Sequence, residues 1–170
     1  MRIYLIGYMG SGKTSVGSAL AKRLQLPFFD LDTRITANVG RSIADIFSQE
    51  GEDYFRQQES RALEEIIETS SACVVATGGG TPCFGRNLSR MHASGLTLYL
   101  SCSVSTLQSR LTDDASQRPI LGREGFNLEE HLNNRIAFYS QAQHIISNDG
   151  TIEQAVEQIV LLYEAHRPSA

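Results

Sequence analysis

Residues Gly7-Tyr8-Met9-Gly10-Ser11-Gly12-Lys13-Thr14 fill the pattern G-x-x-x-x-G-K-[ST]. The glycines let backbone N–H groups curl around phosphate oxygens. The lysine adds a point charge on the β- and γ-oxygens, and the threonine hydroxyl can ligate Mg2+. The flanks are the ones such a loop requires. Ile3 to Ile6 is a short apolar run, and Arg2 to Ile6 reads as a strand. Lys13 to Leu24 reads as a helix, with Val16, Leu20 and Leu24 at a four-residue step on one face. That helix aims its N-terminus at the same anion. The expectation is a nucleotide-binding chain.

The rest of the chain alternates in the same way. Strands are expected at Pro27–Asp30, Cys73–Ala76, Leu96–Leu100 and His144–Ser147. Helices are expected at Glu52–Ser70, Val104–Leu111 and Asn127–Gln141, with a C-terminal one marked by Ile152, Val156, Ile159, Val160 and Tyr163. A short helix starts at Ser42-Ile43-Ala44-Asp45, which resembles a capping box, and Gly51 is its stop. Such alternation implies an α/β domain whose parallel sheet is covered on both faces, with the ligand crevice at the C-terminal ends of the strands. Thr112 to Phe126 lacks periodicity, and a loop of that length inside a domain reads as a lid or binding loop.

Composition narrows the classes. The chain has 170 residues, 41% of them hydrophobic, which fits one domain with its own core and excludes a disordered chain. A net charge of −4 argues against nonspecific binding to nucleic acid or an anionic membrane. No apolar run reaches a membrane span and no signal-peptide pattern is seen, so a cytoplasmic protein is expected. Cys73, Cys83 and Cys102 form no CxxC pair and the four histidines are scattered, which supports reduced thiols and no protein-ligated transition metal. Of the 15 cations only Lys13 and Lys22 are lysines. Composition bias and a use of arginine forks on anions both remain open.

Several residues carry candidate chemistry. Asp30-Leu31-Asp32 ends the second strand, where alternation puts both carboxylates on one side. One could hold Mg2+ through water while the other accepts a proton from an acceptor hydroxyl; alternatively, they are solvated loop acids or a helix cap. Arg56 and Glu59 share a helix face, as an exposed ion pair or as a fork aimed at an anionic group. Thr77-Gly78-Gly79-Gly80 follows the third strand, where Walker-type ATPases often carry an acid. Its absence moves the metal-directed role to Asp30 or Asp32, and the glycines permit close approach of a ligand. Arg118-Pro119 and Arg123 lie in the long loop, as charge for a transferred phosphoryl group or as exposed cations. Arg135, with Tyr139 four residues on, is a second candidate for a carboxylate or a surface helix cation, and Arg110 could stack on adenine or be an exposed helix-end cation.

Together, G-Y-M-G-S-G-K-T, F-F-D-L-D, F-R-Q-Q-E, T-G-G-G, R-P and N-R-x-x-x-Y, in this order from Gly7 to about Tyr139, resemble shikimate kinase. The resemblance implies a three-layer αβα P-loop kinase fold with a five-stranded parallel sheet in the order 2-3-1-4-5 and a mobile lid. It implies a single domain over residues 1–170, with a substrate-binding region at about 33–61 and the lid at about 112–126. It further implies transfer of the ATP γ-phosphoryl to the 3-hydroxyl of shikimate, with Mg2+, by a cytoplasmic protein taken as a monomer. Gly10, Ser11, Gly12, Lys13, Thr14 and Ser15 would wrap the phosphates, with Thr14 on Mg2+ and Asp30 near it through water. Asp32 would bind the substrate hydroxyls and accept the proton. Arg56 and Arg135 would grip the carboxylate, and Gly78, Gly79 and Gly80 would touch the ring hydroxyls. Lys13 and Arg118 would act on the transferred group, and Arg110 and Thr151 would serve the adenine. A gluconate kinase of the same fold is the alternative. A GTPase switch lacks its N-K-x-D motif here.

Overall fold

Ile3 to Ile6 are all fully buried, as a central strand covered on both faces requires. The structure, a computed structural model, describes residues 1–112 and 126–166. Its five strands are β1 (Arg2–Ile6), β2 (Phe28–Asp30), β3 (Val74–Ala76), β4 (Gly95–Ser101) and β5 (His144–Ser147). They form one parallel sheet in the order β2-β3-β1-β4-β5. The register sets Leu5 beside Ala76 and Leu98, so the C-terminal ends of β1, β3 and β4 lie together.

Alternation along the strands divides the core in two. Ile3, Leu5, Val74, Leu96, Leu98 and Leu100 face one layer, built by α1 (Lys13–Leu24) and α8 (Ile152–Ala165). Tyr4, Ile6, Val75 and Tyr99 face the other. That layer holds α2 (Leu31–Val39), α3 (Ile43–Gln49), α4 (Gly51–Thr69), α5 (Asn87–Ser94), α6 (Val104–Thr112) and α7 (Leu128–Tyr139). The fold is three-layered, helices on both faces of the sheet, in the strand order that the resemblance implies. No helix among the described residues is long and apolar enough to cross a membrane.

The differences from the sequence reading are local. Strand β2 stops at Asp30, and Leu31 and Asp32 already belong to α2. The two carboxylates are therefore not placed by strand alternation. Asp30 is the N-cap of α2, its side chain accepting from the Thr33 N–H, and Asp32 sits in the first helical turn. Helix α2 escapes pattern reading because only Leu31 and Ile35 are buried, and α5 because it has eight residues and a single apolar pair, Leu88 and Met91, against the core. Gly51, the expected stop of α3, takes a left-handed φ of 84° and begins α4. Ser42 does cap α3, but Asp45 accepts from the Ser42 hydroxyl at 2.6 Å rather than from its backbone.

Candidate active site

The phosphate loop runs from the end of β1 into α1. Gly10 and Gly12 hold φ values of 78° and 87°, which a side chain would strain. At Gly12 a Cβ would also meet Asn148 Nδ2 at 2.7 Å. The first amides of α1 have no intrahelical acceptor, and its first turn carries no acidic side chain to compete for them. Lys13 is 8% exposed, and its ammonium donates to the carbonyls of Gly7 at 2.9 Å and Tyr8 at 2.8 Å. The lysine so holds the loop's own curvature. Ser11 is buried, and its carbonyl accepts from Asn148 Nδ2 at 2.7 Å.

A cavity of about 530 Å³ opens over this loop at the C-terminal end of the sheet. Gly10, Gly12, Lys13, Thr14 and Ser15 line it from the loop side. Asp30, Asp32, Thr77 and Gly79 line it from β2, α2 and β3. Asp30 and Asp32 therefore share the cavity although a helix, not a strand, presents the second of them. The Thr14 hydroxyl donates to Asp30 Oδ2 at 2.7 Å, while Asp30 Oδ1 accepts from the Thr33 N–H at 3.1 Å. A hydroxyl and a carboxylate side by side on a cavity wall are hard oxygen donors. They fit Mg2+, which takes one or two protein oxygens and completes its octahedron with water and phosphate. Among the described residues no group of three or more His, Cys, Asp or Glu could hold a metal ion.

Arg56 is buried, not an exposed helix cation. Its guanidinium donates to Glu59 Oε2 at 2.5 Å and to Glu52 Oε1 at 2.9 Å, and lies 4.3 Å from the Phe84 ring centre. Burial works against its charge, yet the Glu59 and Glu52 carboxylates prevail and hold its pKa above the ordinary value. Glu59 is fully buried, and its second oxygen accepts from the Thr81 hydroxyl at 2.6 Å. The glycine run packs straight onto this assembly. A Cβ on Gly78 would stand 2.5 Å from Glu59 Oε1, and one on Gly80 would fall on the Arg56 guanidinium. Gly79 faces the cavity, and a Cβ there would stand 3.6 Å from Arg135 Nη1. Arg56 thus packs against Gly80 and Arg135 lies near Gly79, and neither lines the cavity.

The other end of the cavity is walled by Arg110, Asn148 and Ile152. Arg110 donates to the Asn148 carbonyl at 2.9 Å and reaches the Gly10 carbonyl at 3.5 Å, so α6 grips the loop. Thr151 does not line the cavity. It caps α8, its hydroxyl accepting from the Gln154 N–H while Gln154 accepts from the Thr151 N–H. Its neighbour Ile152, a half-exposed apolar residue, lines the cavity instead. An apolar first residue of a helix is the signal that could have found Ile152; nothing local marks Asn148 within its Asn-Asp-Gly turn. Arg118 and Arg123 lie outside the described residues.

Comparison with known proteins decides what this loop, acid pair and arginine pair belong to. The family model of shikimate kinase matches residues 9–164. A shikimate kinase of Azobacteroides pseudotrichonymphae is 42% identical over 146 residues, covering 83% of this chain and 86% of that protein. The chain belongs to the shikimate kinase family. A crystal structure of shikimate kinase from Bacteroides thetaiotaomicron superposes with a TM-score of 0.88 at 38% identity, covering 96% of this chain and 98% of that one. Shikimate kinase from Acinetobacter baumannii, solved in complex with shikimate, gives 0.88 at 33% identity, covering 99% and 95%. The chain is a kinase of this family, and its activity is ATP-dependent phosphorylation of shikimate.

Proposed function

We propose that the γ-phosphoryl group of ATP passes to the 3-hydroxyl of shikimate across the cavity between the phosphate loop and Gly79. The amides of Gly10, Ser11, Gly12, Thr14 and Ser15 hold the phosphates, and Lys13 turns from the loop carbonyls to the β- and γ-oxygens. Thr14 would hold Mg2+, with Asp30 reaching it through water, and the ion would supply positive charge against the phosphate oxygens. Asp32 orients the acceptor and takes its proton. As the new O–P bond forms, the bond between the γ-phosphorus and the bridging oxygen breaks and ADP leaves. Arg56 and Arg135 grip the carboxylate as charge-assisted donors, and the Gly78–Gly80 backbone meets the ring hydroxyls. Arg110 stacks on the adenine. Thr151 was expected to join it; Ile152 is the better-placed neighbour.

The region 33–61 is assigned to the substrate and segment 112–126, with Arg118, to the lid role that the family resemblance implies. The whole of 1–170 works as one domain, as a cytoplasmic monomer, without nucleic acid or membrane. One observation carries the reading: Lys13, Thr14, Asp30, Asp32 and Gly79 line a single cavity. Release of ADP from ATP and Mg2+ should depend on shikimate, with gluconate far less effective. Absence of shikimate-dependent turnover overturns it. Arg56→Lys keeps a charge beside Glu59 but loses the fork, so the shikimate KM should rise about tenfold or more at little cost in kcat. Arg56→Ala is a poorer probe, because it strands the buried Glu59 carboxylate at about 3–5 kcal/mol.

A further inference from the structure

We propose that Tyr139 is a positioning residue that sets the carboxylate grip by joining Arg135 to the Gly79 backbone. Its hydroxyl donates to the Gly79 carbonyl at 2.6 Å, across 60 residues of sequence. Arg135, one turn earlier on α7, brings its guanidinium against the same glycine, where a Cβ on Gly79 would stand 3.6 Å from Arg135 Nη1. The polarity of this junction is forced. A guanidinium can only donate and a carbonyl can only accept, so the phenol spends its single proton on Gly79 and keeps its lone pairs for Arg135. Burial holds the phenol well above its ordinary pKa, so that proton stays in place at any working pH.

The ring cannot drift. Tyr139 is fully buried and stacks on Tyr99 with centroids 5.2 Å apart and planes 29° apart. Tyr99 is on β4, so the junction refers both Arg135 and Gly79 to the sheet. Arg135 is only partly buried and holds no carboxylate partner among the described ion pairs. This contrasts with Arg56, which Glu59 and Glu52 orient. The two arginines are thus held differently: Arg56 by Glu59 and Glu52, and Arg135 beside a phenol, with no carboxylate partner among the described residues. The inference rests on the reading that Arg135 meets the substrate carboxylate.

Tyr139→Phe removes the hydroxyl and keeps the stacked ring, so it isolates the junction. With the full chain, steady-state kinetics should show the shikimate KM raised about tenfold and the ATP KM moved by less than about twofold. The melting temperature should change little. In an Arg135→Ala background, the same substitution should add less than about twofold to the shikimate KM, because the residue through which it acts is already gone. Multiplying effects in the double variant would overturn the inference, as would a parallel rise of both KM values with loss of thermal stability. A wild-type chain without shikimate-dependent turnover would instead sink the functional reading, and this inference with it.

Discussion

At the scale of single residues, burial decides between readings that spacing leaves open. Arg56 and Glu59 sit three residues apart, and on an exposed helix such a pair contributes well under 1 kcal/mol. Here Glu59 is fully buried and bonded to both Arg56 and Thr81, so the pair is part of the floor under the glycine run. Asp32 was a candidate base on sequence grounds, and the structure brings it to the cavity that Lys13 and Thr14 line. Asp32→Asn should lower kcat by roughly two to four orders of magnitude while the melting temperature stays within a few degrees. Equal loss of stability and rate in that variant, read by kinetics and thermal unfolding together, would speak against a proton-accepting role. The motif-bearing residues were legible because each needs only its neighbours. Tyr139 is visible as part of N-R-x-x-x-Y, but its tie to Gly79 is not, because the hydrogen bond joins residues 60 apart in the chain.

At the scale of elements, the ends of helices changed the most. Of the alternatives that spacing leaves open for Asp30, the helix cap is the one the structure shows, on an α2 whose apolar pattern is only Leu31 and Ile35. Thr151, an adenine contact on the resemblance alone, closes a capping box at α8. Thr151→Ala should therefore cost about 1 kcal/mol, or roughly 2–4 °C in melting temperature, with the ATP KM unchanged. Asp149 does a similar service for α6, accepting from the Ser103 N–H at 2.9 Å and from its hydroxyl at 3.1 Å. The Ser103 backbone bond leads the effects that hold its carboxyl below the ordinary 3.8. A carboxylate with a lowered folded pKa stabilises the fold above its unfolded value and loses that stabilisation as pH falls through the folded one. The melting temperature of Asp149→Ala should lie slightly below that of the parent at neutral pH, and the gap should close as the pH is taken below 3.8. A gap independent of pH in a thermal unfolding series would assign the loss to packing.

At the scale of the whole molecule, the fold works by bringing the C-terminal ends of β1, β2 and β3 to one cavity. Ligands that bind there should stabilise the folded chain as a unit. ADP and shikimate, each at about 100 times its Kd, should each add about 2.7 kcal/mol, at roughly 2–4 °C per kcal/mol. Thermal unfolding measures this directly, and an unmoved midpoint with shikimate would count against its binding. Sequence by itself determined the phosphate loop, the strand–helix alternation and the layered class, because a glycine pattern and a period of two or 3.6 are properties of neighbouring residues. Only the tertiary structure decided that Asn148 reaches Ser11 across 137 residues, that Ile152 rather than Thr151 lines the cavity, and that Gly79 is held by Tyr139. Those contacts exist because parallel crossovers return distant segments to the same, C-terminal end of the strands. A period measured along the chain carries no information about which segments will meet there.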